Sequence, residues 1–240
     1  MARRRAETIT KQQILKKKEM NRIGLFGGTF NPIHIGHLRA AREVADEFNL
    51  SQILFIPSCL PPHKAIKDIA PPENRLEMVR RATCEHQTFE VSDVELQRAG
   101  VSYTVETVKY FNQFYQRRDS LFLIMGMDAF LEVDTWKSYT ELFEQIPMIV
   151  MERPNAQDPK TPASIGMREF IRRRISDEYQ FEADEQRYVH PELHPIYYFQ
   201  ISLLDISGTK IRGLLRNKKS ITFLVPETVE HYIITRGLYL

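Results

Sequence analysis

The strongest constraint on the fold is the order of patterns between residues 22 and 48. The apolar run Ile23–Phe26 is typical of a buried strand. The glycine-rich segment Gly27-Gly28-Thr29-Phe30-Asn31-Pro32 follows it and is typical of a turn, and a helical pattern then covers Ile35–Phe48. A helix that begins directly after such a turn presents unpaired backbone N–H groups and the positive end of its dipole. This arrangement favours a bound phosphate.

Two further features point to the same chemistry. His34 and His37 lie three residues apart, on one face of the first turn of that helix, where imidazoles can bind phosphoryl oxygens. A lone histidine is more often structural, but Gly36 between the two lets a ligand approach the backbone. The segment Ile206-Ser207-Gly208-Thr209-Lys210-Ile211-Arg212 places hydroxyls and a guanidinium at another helix start. Together the two segments predict a pocket for a nucleoside triphosphate.

Strand-like and helical patterns alternate along the rest of the chain. They predict an α/β fold, with a Rossmann-like, doubly wound parallel sheet, helices on both faces and a small C-terminal helical part. In such a sheet, ligands bind beyond the carboxyl ends of the strands, where the strand order reverses. The predicted strands are Arg22–Phe26, Ile53–Pro57, Leu121–Met125, Ile146–Met151 and Pro195–Ile201. The predicted helices are Ile35–Phe48, Glu73–His86, Tyr103–Tyr115, Tyr139–Phe143, Ile165–Ile175, Thr209–Arg216 and Pro226–Arg236. Loops are predicted over Ser58–Pro72, Arg153–Pro162 and Asp177–Pro195, with residues 177–197 as a surface insertion.

Charge separates the first 20 residues from the rest. They hold seven Lys and Arg residues against Glu7 and Glu19, which is +5 in a chain whose net charge is +2, so residues 21–240 carry −3. We expect residues 1–20 to be a solvated basic tail and residues 21–240 to form one domain that binds no nucleic acid. Two isolated cysteines predict neither a disulfide framework nor a metal site. The sequence has no membrane-spanning run, which favours a cytoplasmic protein, and a homo-oligomer is compatible with it.

An ordered set of short motifs carries a family resemblance. The segments Gly27–His37 and Ile206–Arg212 resemble the nucleotidyltransferase superfamily with the H-x-G-H signature. The motifs that narrow it to the nicotinate mononucleotide adenylyltransferases are Pro61-Pro62-His63-Lys64, Ser102-Tyr103-Thr104-Val105-Glu106-Thr107, Gly126-Met127-Asp128, Trp136, Arg153-Pro154 and Leu224-Val225-Pro226-Glu227. The resemblance implies that ATP and nicotinate mononucleotide give deamido-NAD and pyrophosphate, with Mg²⁺ carried by the triphosphate. It also implies direct in-line attack without a covalent enzyme intermediate.

The same resemblance implies roles for individual residues. The catalytic groups would be His34, His37 and Arg212. The ATP-binding residues would be Gly27, Gly28, Thr29, Phe30, Gly126, Asp128, Ser207, Gly208 and Thr209. The mononucleotide-binding residues would be Asn31, Lys64, Tyr103, Thr104, Trp136 and Arg153. From the residues alone, other interpretations stay open: Ser207 and Asp128 as helix N-caps, Trp136 as core, and Lys64, Arg153 and Arg212 as solvated surface.

Three positions depart from the pattern of the family. Asn31 stands where many members have Asp, Gly208 replaces the second Ser of a common I-S-S-T-x-I-R motif, and Lys137 stands where an aromatic residue is frequent. The alternatives to the implied reaction are nicotinamide mononucleotide or another phosphate-bearing acceptor, such as pantetheine phosphate, and a non-catalytic nucleotide-binding module. The H-x-G-H signature also resembles class I aminoacyl-tRNA synthetases, but their second signature loop and anticodon-binding portion are missing from this sequence.

Overall fold

The computed structural model describes residues 21–61, 69–98, 100–115, 120–153 and 163–240, without the side chains of 163–165. An eight-stranded sheet in the order β3-β2-β1-β4-β5-β8-β7-β6 forms its centre. The strands are β1 (Arg22–Gly28), β2 (Gln52–Pro57), β3 (Phe89–Val91), β4 (Ser120–Gly126), β5 (Met148–Glu152), β6 (Gln180–Glu182), β7 (Arg187–Val189) and β8 (Ile196–Gln200). The strands β1 to β5 and β8 pair in parallel, whereas β6 and β7 pair antiparallel at one edge.

Helices cover both faces of the sheet, as the alternating pattern predicts. They are α1 (Ile35–Glu47), α2 (Pro72–Thr83), α3 (Val94–Arg98), α4 (Thr104–Phe114), α5 (Met127–Phe130), a 3₁₀ turn (Val133–Thr135), α6 (Tyr139–Gln145), α7 (Ala163–Phe170), a π-helical turn (Ile171–Ile175), α8 (Gly208–Arg216) and α9 (Glu227–Thr235). None of the helices in the described ranges is long and apolar enough to cross a membrane.

The strands are buried on both sides because successive side chains enter two separate cores. Phe26 and Phe55 pack with α1, α2, α8 and α9, whereas Leu25 and Leu54 pack with α4, α5, α6 and α7. The C-terminal helices therefore share a core with the sheet. This confirms the predicted doubly wound α/β fold, and the strand order reverses between β1 and β4, which is where such folds bind ligands.

The five predicted strands and seven predicted helices are present with small shifts of their ends, the last predicted turn of Ile165–Ile175 being π-helical. The prediction of a loop over Asp177–Pro195 was wrong. Its strands β6 and β7 form an antiparallel hairpin that extends the sheet from β8. Each has only three residues, and all three of β6 are exposed. Backbone pairing and the Tyr188 side chain, which is buried in the core, hold the hairpin in place. The predicted tail 1–20, residues 62–68 of the predicted loop 58–72 and residues 154–162 of the predicted loop 153–162 lie outside the described residues.

Candidate active site

The buried ring of Phe30 fixes the conformation of the loop that follows β1. This ring is buried and lies edge-on to the rings of Phe26 and His37, at centroid distances of 5.7 and 5.2 Å. The packing holds the Phe30 backbone in the left-handed region, with φ at 47°. A Cβ atom at Gly28 would come within 2.9 Å of the same ring, so a side chain at this position would have to displace the buried ring. A Cβ at Gly27 would meet nothing within 4 Å, because this residue faces open space.

The two histidines form one unit at the start of α1. Their rings stack with centroids 3.7 Å apart, and the backbone N–H of His34 donates to Nδ1 of His37 over 3.3 Å. Nδ1 of His37 is therefore the acceptor, and a neutral His37 carries its proton on Nε2. A Cβ at Gly36 would lie 3.1 Å from Nδ1 of His34, so the glycine leaves room for that ring.

His34 is neutral at physiological pH. Its side chain is buried, and this burial together with the positive charge of Arg153 lowers its pKa to about 4. Nδ1 of His34 is buried and has no hydrogen-bond partner among the described residues. His34 can therefore offer a hydrogen bond to a ligand, but it does not offer a positive charge.

The start of α8 meets the loop after β1, although 181 positions separate them. Nη1 of Arg212 donates to the backbone oxygen of Asn31 over 2.7 Å, and Nη2 lies 3.3 Å from Oγ1 of Thr209. Ser207 is the N-cap of α8, since its hydroxyl accepts from the backbone N–H of Lys210 over 3.2 Å. The two segments that the sequence singles out are thus in direct contact.

Gly208 allows this contact. A Cβ at Gly208 would lie 2.7 Å from the backbone oxygen of Asn31 and 3.3 Å from Nη1 of Arg212. Glycine at position 208, where the family pattern has serine, therefore allows α8 to lie close to the loop after β1.

A cleft with two lobes opens at the carboxyl ends of β1 and β4. The larger lobe, of about 1070 Å³, is lined by Phe30, Asn31, His34, Gly36, His37, Arg153, Ser207, Gly208, Thr209 and Arg212 among others. The smaller lobe, of about 550 Å³, is lined by Tyr103, Thr104, Trp136 and Lys137 among others. Gly27, Gly28, Thr29, Gly126 and Asp128 line both lobes. The cleft therefore brings together the predicted site residues that the structure describes.

The smaller lobe has an aromatic wall with a cation beside it. Trp136 is half-buried; it packs against the sheet core and also lines the lobe. Nζ of Lys137 lies 4.3 Å from the centroid of the Tyr103 ring and 2.7 Å from Oε1 of Glu106. The contact with Tyr103 is a cation–π pair at the mouth of the lobe.

At the junction of the lobes, Asp128 is exposed in the first turn of α5. The N-cap of this short helix is Gly126, so the N-cap interpretation of Asp128 was wrong. A Cβ at Gly126 would lie 2.6 Å from Oδ1 of Asp128, and the glycine thus leaves room for that carboxylate. The side chain faces both lobes and is available to a ligand.

Two of the predicted mononucleotide-binding residues line the larger lobe and not the smaller one. Arg153 lines the larger lobe, where its Nη1 lies 3.4 Å from the backbone oxygen of Ile206. Asn31 also lines only the larger lobe, and its Oδ1 accepts from the backbone N–H of Ala70 and from the hydroxyl of Tyr239. Lys64 lies outside the described residues.

Sequence reasoning missed Tyr239 and Arg75. Tyr239 comes from the far end of the chain, and burial raises the pKa of its hydroxyl. Arg75 is fully buried in α2, on the apolar face that Leu76 and Val79 share. An arginine within an apolar helix face is the sequence signal that could have drawn attention to it.

Among the residues that the structure describes, no group of three or more His, Cys, Asp or Glu side chains could hold a metal ion. The described part of the cleft thus offers polar and cationic contacts for an anionic ligand.

Comparison with known proteins gives one consistent result. The cytidylyltransferase-like family model matches residues 25–214. The probable nicotinate-nucleotide adenylyltransferase of Geotalea daltonii is 40% identical over 219 residues, which are 91% of this chain and 98% of the relative. A relative of the same name from Desulfatibacillum aliphaticivorans is 43% identical over 222 residues, 91% of this chain and 100% of its own length.

Among solved structures, the chain resembles the Plasmodium falciparum nicotinic acid mononucleotide adenylyltransferase complexed with NaAD, with a TM-score of 0.66. The match covers 91% of this chain and 97% of that one at 16% identity, so it supports the fold alone. The identity of 40% and 43% to the two relatives, over nearly their whole length, also shows the family. The chain belongs to the nicotinate-nucleotide adenylyltransferase family, within the cytidylyltransferase-like proteins.

Proposed function

We propose that this protein transfers the adenylyl group of ATP to nicotinate mononucleotide, forming deamido-NAD and pyrophosphate. An oxygen of the mononucleotide phosphate attacks the α-phosphorus of ATP and forms the new P–O bond. The bond from the α-phosphorus to the bridging oxygen breaks, and pyrophosphate leaves with that electron pair. The observation that carries the proposal is the contact between the loop after β1 and the start of α8 in the larger lobe, directly beside an aromatic lobe.

The larger lobe suits the triphosphate. The starts of α1 and α8 both face it with their positive dipole ends, and Arg212 and Arg153 add positive charge. Nε2 of His37 is the donor for a phosphate oxygen, because Nδ1 is already occupied by the backbone of His34. His34, neutral and buried, supplies a hydrogen bond. Such groups stabilise the charge that develops as pyrophosphate leaves, and the reaction needs no nucleophilic side chain.

The smaller lobe suits the mononucleotide. Trp136 offers a flat face on which a pyridine ring can stack, and the backbone at Tyr103 and Thr104 can receive the nicotinate carboxylate. Gly27 and Thr29, which line both lobes, are where the attacking phosphate and the α-phosphate would meet. On the adenosine side, Asp128 would accept a hydrogen bond from a ribose hydroxyl. Catalysis then depends on positioning.

Nucleotidyltransferases use a divalent cation together with the nucleotide. We propose that this cation is Mg²⁺ and that it enters as part of the MgATP substrate. The larger lobe has phosphate-binding donors, and the described residues contain no cluster of metal ligands. The phosphate oxygens and water molecules would then be the ligands of the cation.

Pyrophosphate release from MgATP tests the proposal. The purified protein is supplied with MgATP and either nicotinate mononucleotide, nicotinamide mononucleotide, pantetheine phosphate or no acceptor. We expect release only with a mononucleotide, at a kcat/KM far higher for the acid than for the amide. Equal rates with acid and amide would contradict the assignment of the carboxylate site. ATP binding without release under any condition would favour a non-catalytic binding module.

A further inference from the structure

Arg75 is a buried cation directly beneath the loop after β1. Its side chain is fully buried, and its three donors go to backbone oxygens of three separate segments. Nη1 donates to Thr29 over 2.9 Å, Nη2 to Cys59 over 2.8 Å and Nε to Ala70 over 2.9 Å. One guanidinium thus ties the ends of β1 and β2 to the start of α2.

The positive charge of Arg75 is not balanced by a carboxylate within contact distance. Among the described residues it forms no ion pair, and the charges of Glu73 and Glu95 act on it only from farther away. A buried charge without a counter-ion is unfavourable, since backbone oxygens replace only part of the water it has lost. The anionic ligand expected in the adjoining cleft would supply the missing negative charge.

The contact with Thr29 also fixes the direction of the next backbone donor. The oxygen of Thr29 and the N–H of Phe30 belong to one trans peptide unit, in which they point in opposite directions. Since the oxygen faces Arg75, the N–H of Phe30 points away from it. Both residues line the larger lobe, and none of the described residues accepts a hydrogen bond from this N–H.

The conformation of Phe30 is held from both sides. Its left-handed backbone is costly for a residue with a side chain, and such strain persists only where the surroundings fix it. The ring is held by Phe26 and His37, and the preceding peptide is held by Arg75. A guanidinium bound to a peptide oxygen also polarises that peptide, which makes its N–H a stronger donor.

We propose that Arg75 is a positioning residue for the polyphosphate group: it aims the N–H of Phe30 into the larger lobe, and its buried charge is balanced by the bound phosphates. The proposal rests on the proposed function only in taking the larger lobe as the triphosphate site. A residue that merely stabilised the fold would hold the three segments together equally well with and without ligand. A positioning residue instead couples to the ligand, so its loss weakens phosphate binding by the folded protein.

The test uses inorganic tripolyphosphate as the probe, so that binding is measured without turnover. Titration calorimetry compares the wild type with R75Q, R75K and the control R80Q, which changes an exposed arginine of the same helix paired with Asp93. R75Q removes the charge and is expected to raise the Kd by about tenfold or more, because the folded protein then loses both the buried charge that the phosphates would balance and the charged hydrogen bond that aims the N–H of Phe30. R75K keeps the charge and three N–H donors for the backbone oxygens, so it is expected to bind within about threefold of the wild type, as R80Q is.

Circular dichroism of each variant separates binding from folding. A folded R75Q that binds within threefold of the wild type would overturn the proposal, and so would an R75K as weak as a folded R75Q. If R75Q does not fold, R75K decides, and tenfold weaker binding by R75K overturns the proposal. A wild type that binds tripolyphosphate but releases no pyrophosphate from MgATP would refute the proposed function and leave this inference standing.

Discussion

Replacing Gly208 tests whether the contact between α8 and the loop after β1 depends on a residue without a side chain. In G208A the new Cβ would lie 2.7 Å from the backbone oxygen of Asn31, whereas ordinary contacts begin near 3.4 Å. The start of α8 must then move by several tenths of an ångström, since the obstacle is backbone. The shift acts on the bond between Arg212 and Asn31, which is 2.7 Å long. Overpacking of this kind costs about 1 to 3 kcal/mol.

The chain provides a matched control in the same helix. Gly213 lies in the interior of α8, and a Cβ there would meet nothing within 4 Å. G213A is therefore expected to stabilise the protein by about 0.5 to 1 kcal/mol, since alanine is the better helix former. G208A is expected to lose about 1 to 3 kcal/mol and to raise the KM for ATP. G208S, which restores the serine of the family pattern, is expected to behave like G208A.

The assay is urea unfolding of the three variants and the wild type, followed by steady-state kinetics with ATP as the varied substrate. The free energies of unfolding give the packing cost, and the KM values show whether the cost reaches the site. A G208A protein as stable as G213A, with an unchanged KM, would refute the reasoning. It would mean that α8 and the loop can separate without loss.

Three further outcomes are expected. Burial lowers the pKa of His34 from 6.5 in the unfolded chain to about 4 in the folded protein, so between these pH values the unfolded chain binds more protons. The free energy of unfolding is therefore highest above pH 6.5 and falls by about 2 kcal/mol when the pH is lowered from 7 to 5. Urea unfolding at both pH values should show a smaller fall in H34Q than in the wild type, and equal falls would contradict this. Y239F, which removes the hydroxyl bonded to Asn31, should unfold about 1 kcal/mol more easily, whereas the exposed control Y110F should not change. W136A should raise the KM for the mononucleotide at least about tenfold by loss of ring stacking while the KM for ATP stays within twofold, and a parallel rise of both values would reduce Trp136 to a core residue.

The fold was predictable from the sequence because its parallel strands are buried on both faces and read as continuous apolar runs. The hairpin of β6 and β7 was not, because strands of three residues are too short to show a periodicity. The meeting of His37 and Arg212 in one cleft was also predictable. Both follow strands of a sheet whose carboxyl ends gather at one edge.

The supporting contacts were beyond sequence reasoning because they join distant positions. No local pattern relates Asn31 to Tyr239, although the two hydrogen-bond over 2.8 Å. The lowered pKa of His34 comes from its burial, which a motif does not convey. From the sequence, Gly208 indicates only the loss of a serine hydroxyl. The position of the Asn31 backbone oxygen shows that the glycine allows α8 to lie close to the loop after β1.

In the proposed site, two chain segments hold one ligand at once, and a crystal structure with Mg²⁺ and a non-hydrolysable ATP analogue tests this most directly. We expect the triphosphate in the larger lobe, with phosphate oxygens within hydrogen-bond distance of both Nε2 of His37 and the guanidinium of Arg212. A triphosphate that contacts only one of these side chains, or that lies outside the larger lobe, would contradict the account.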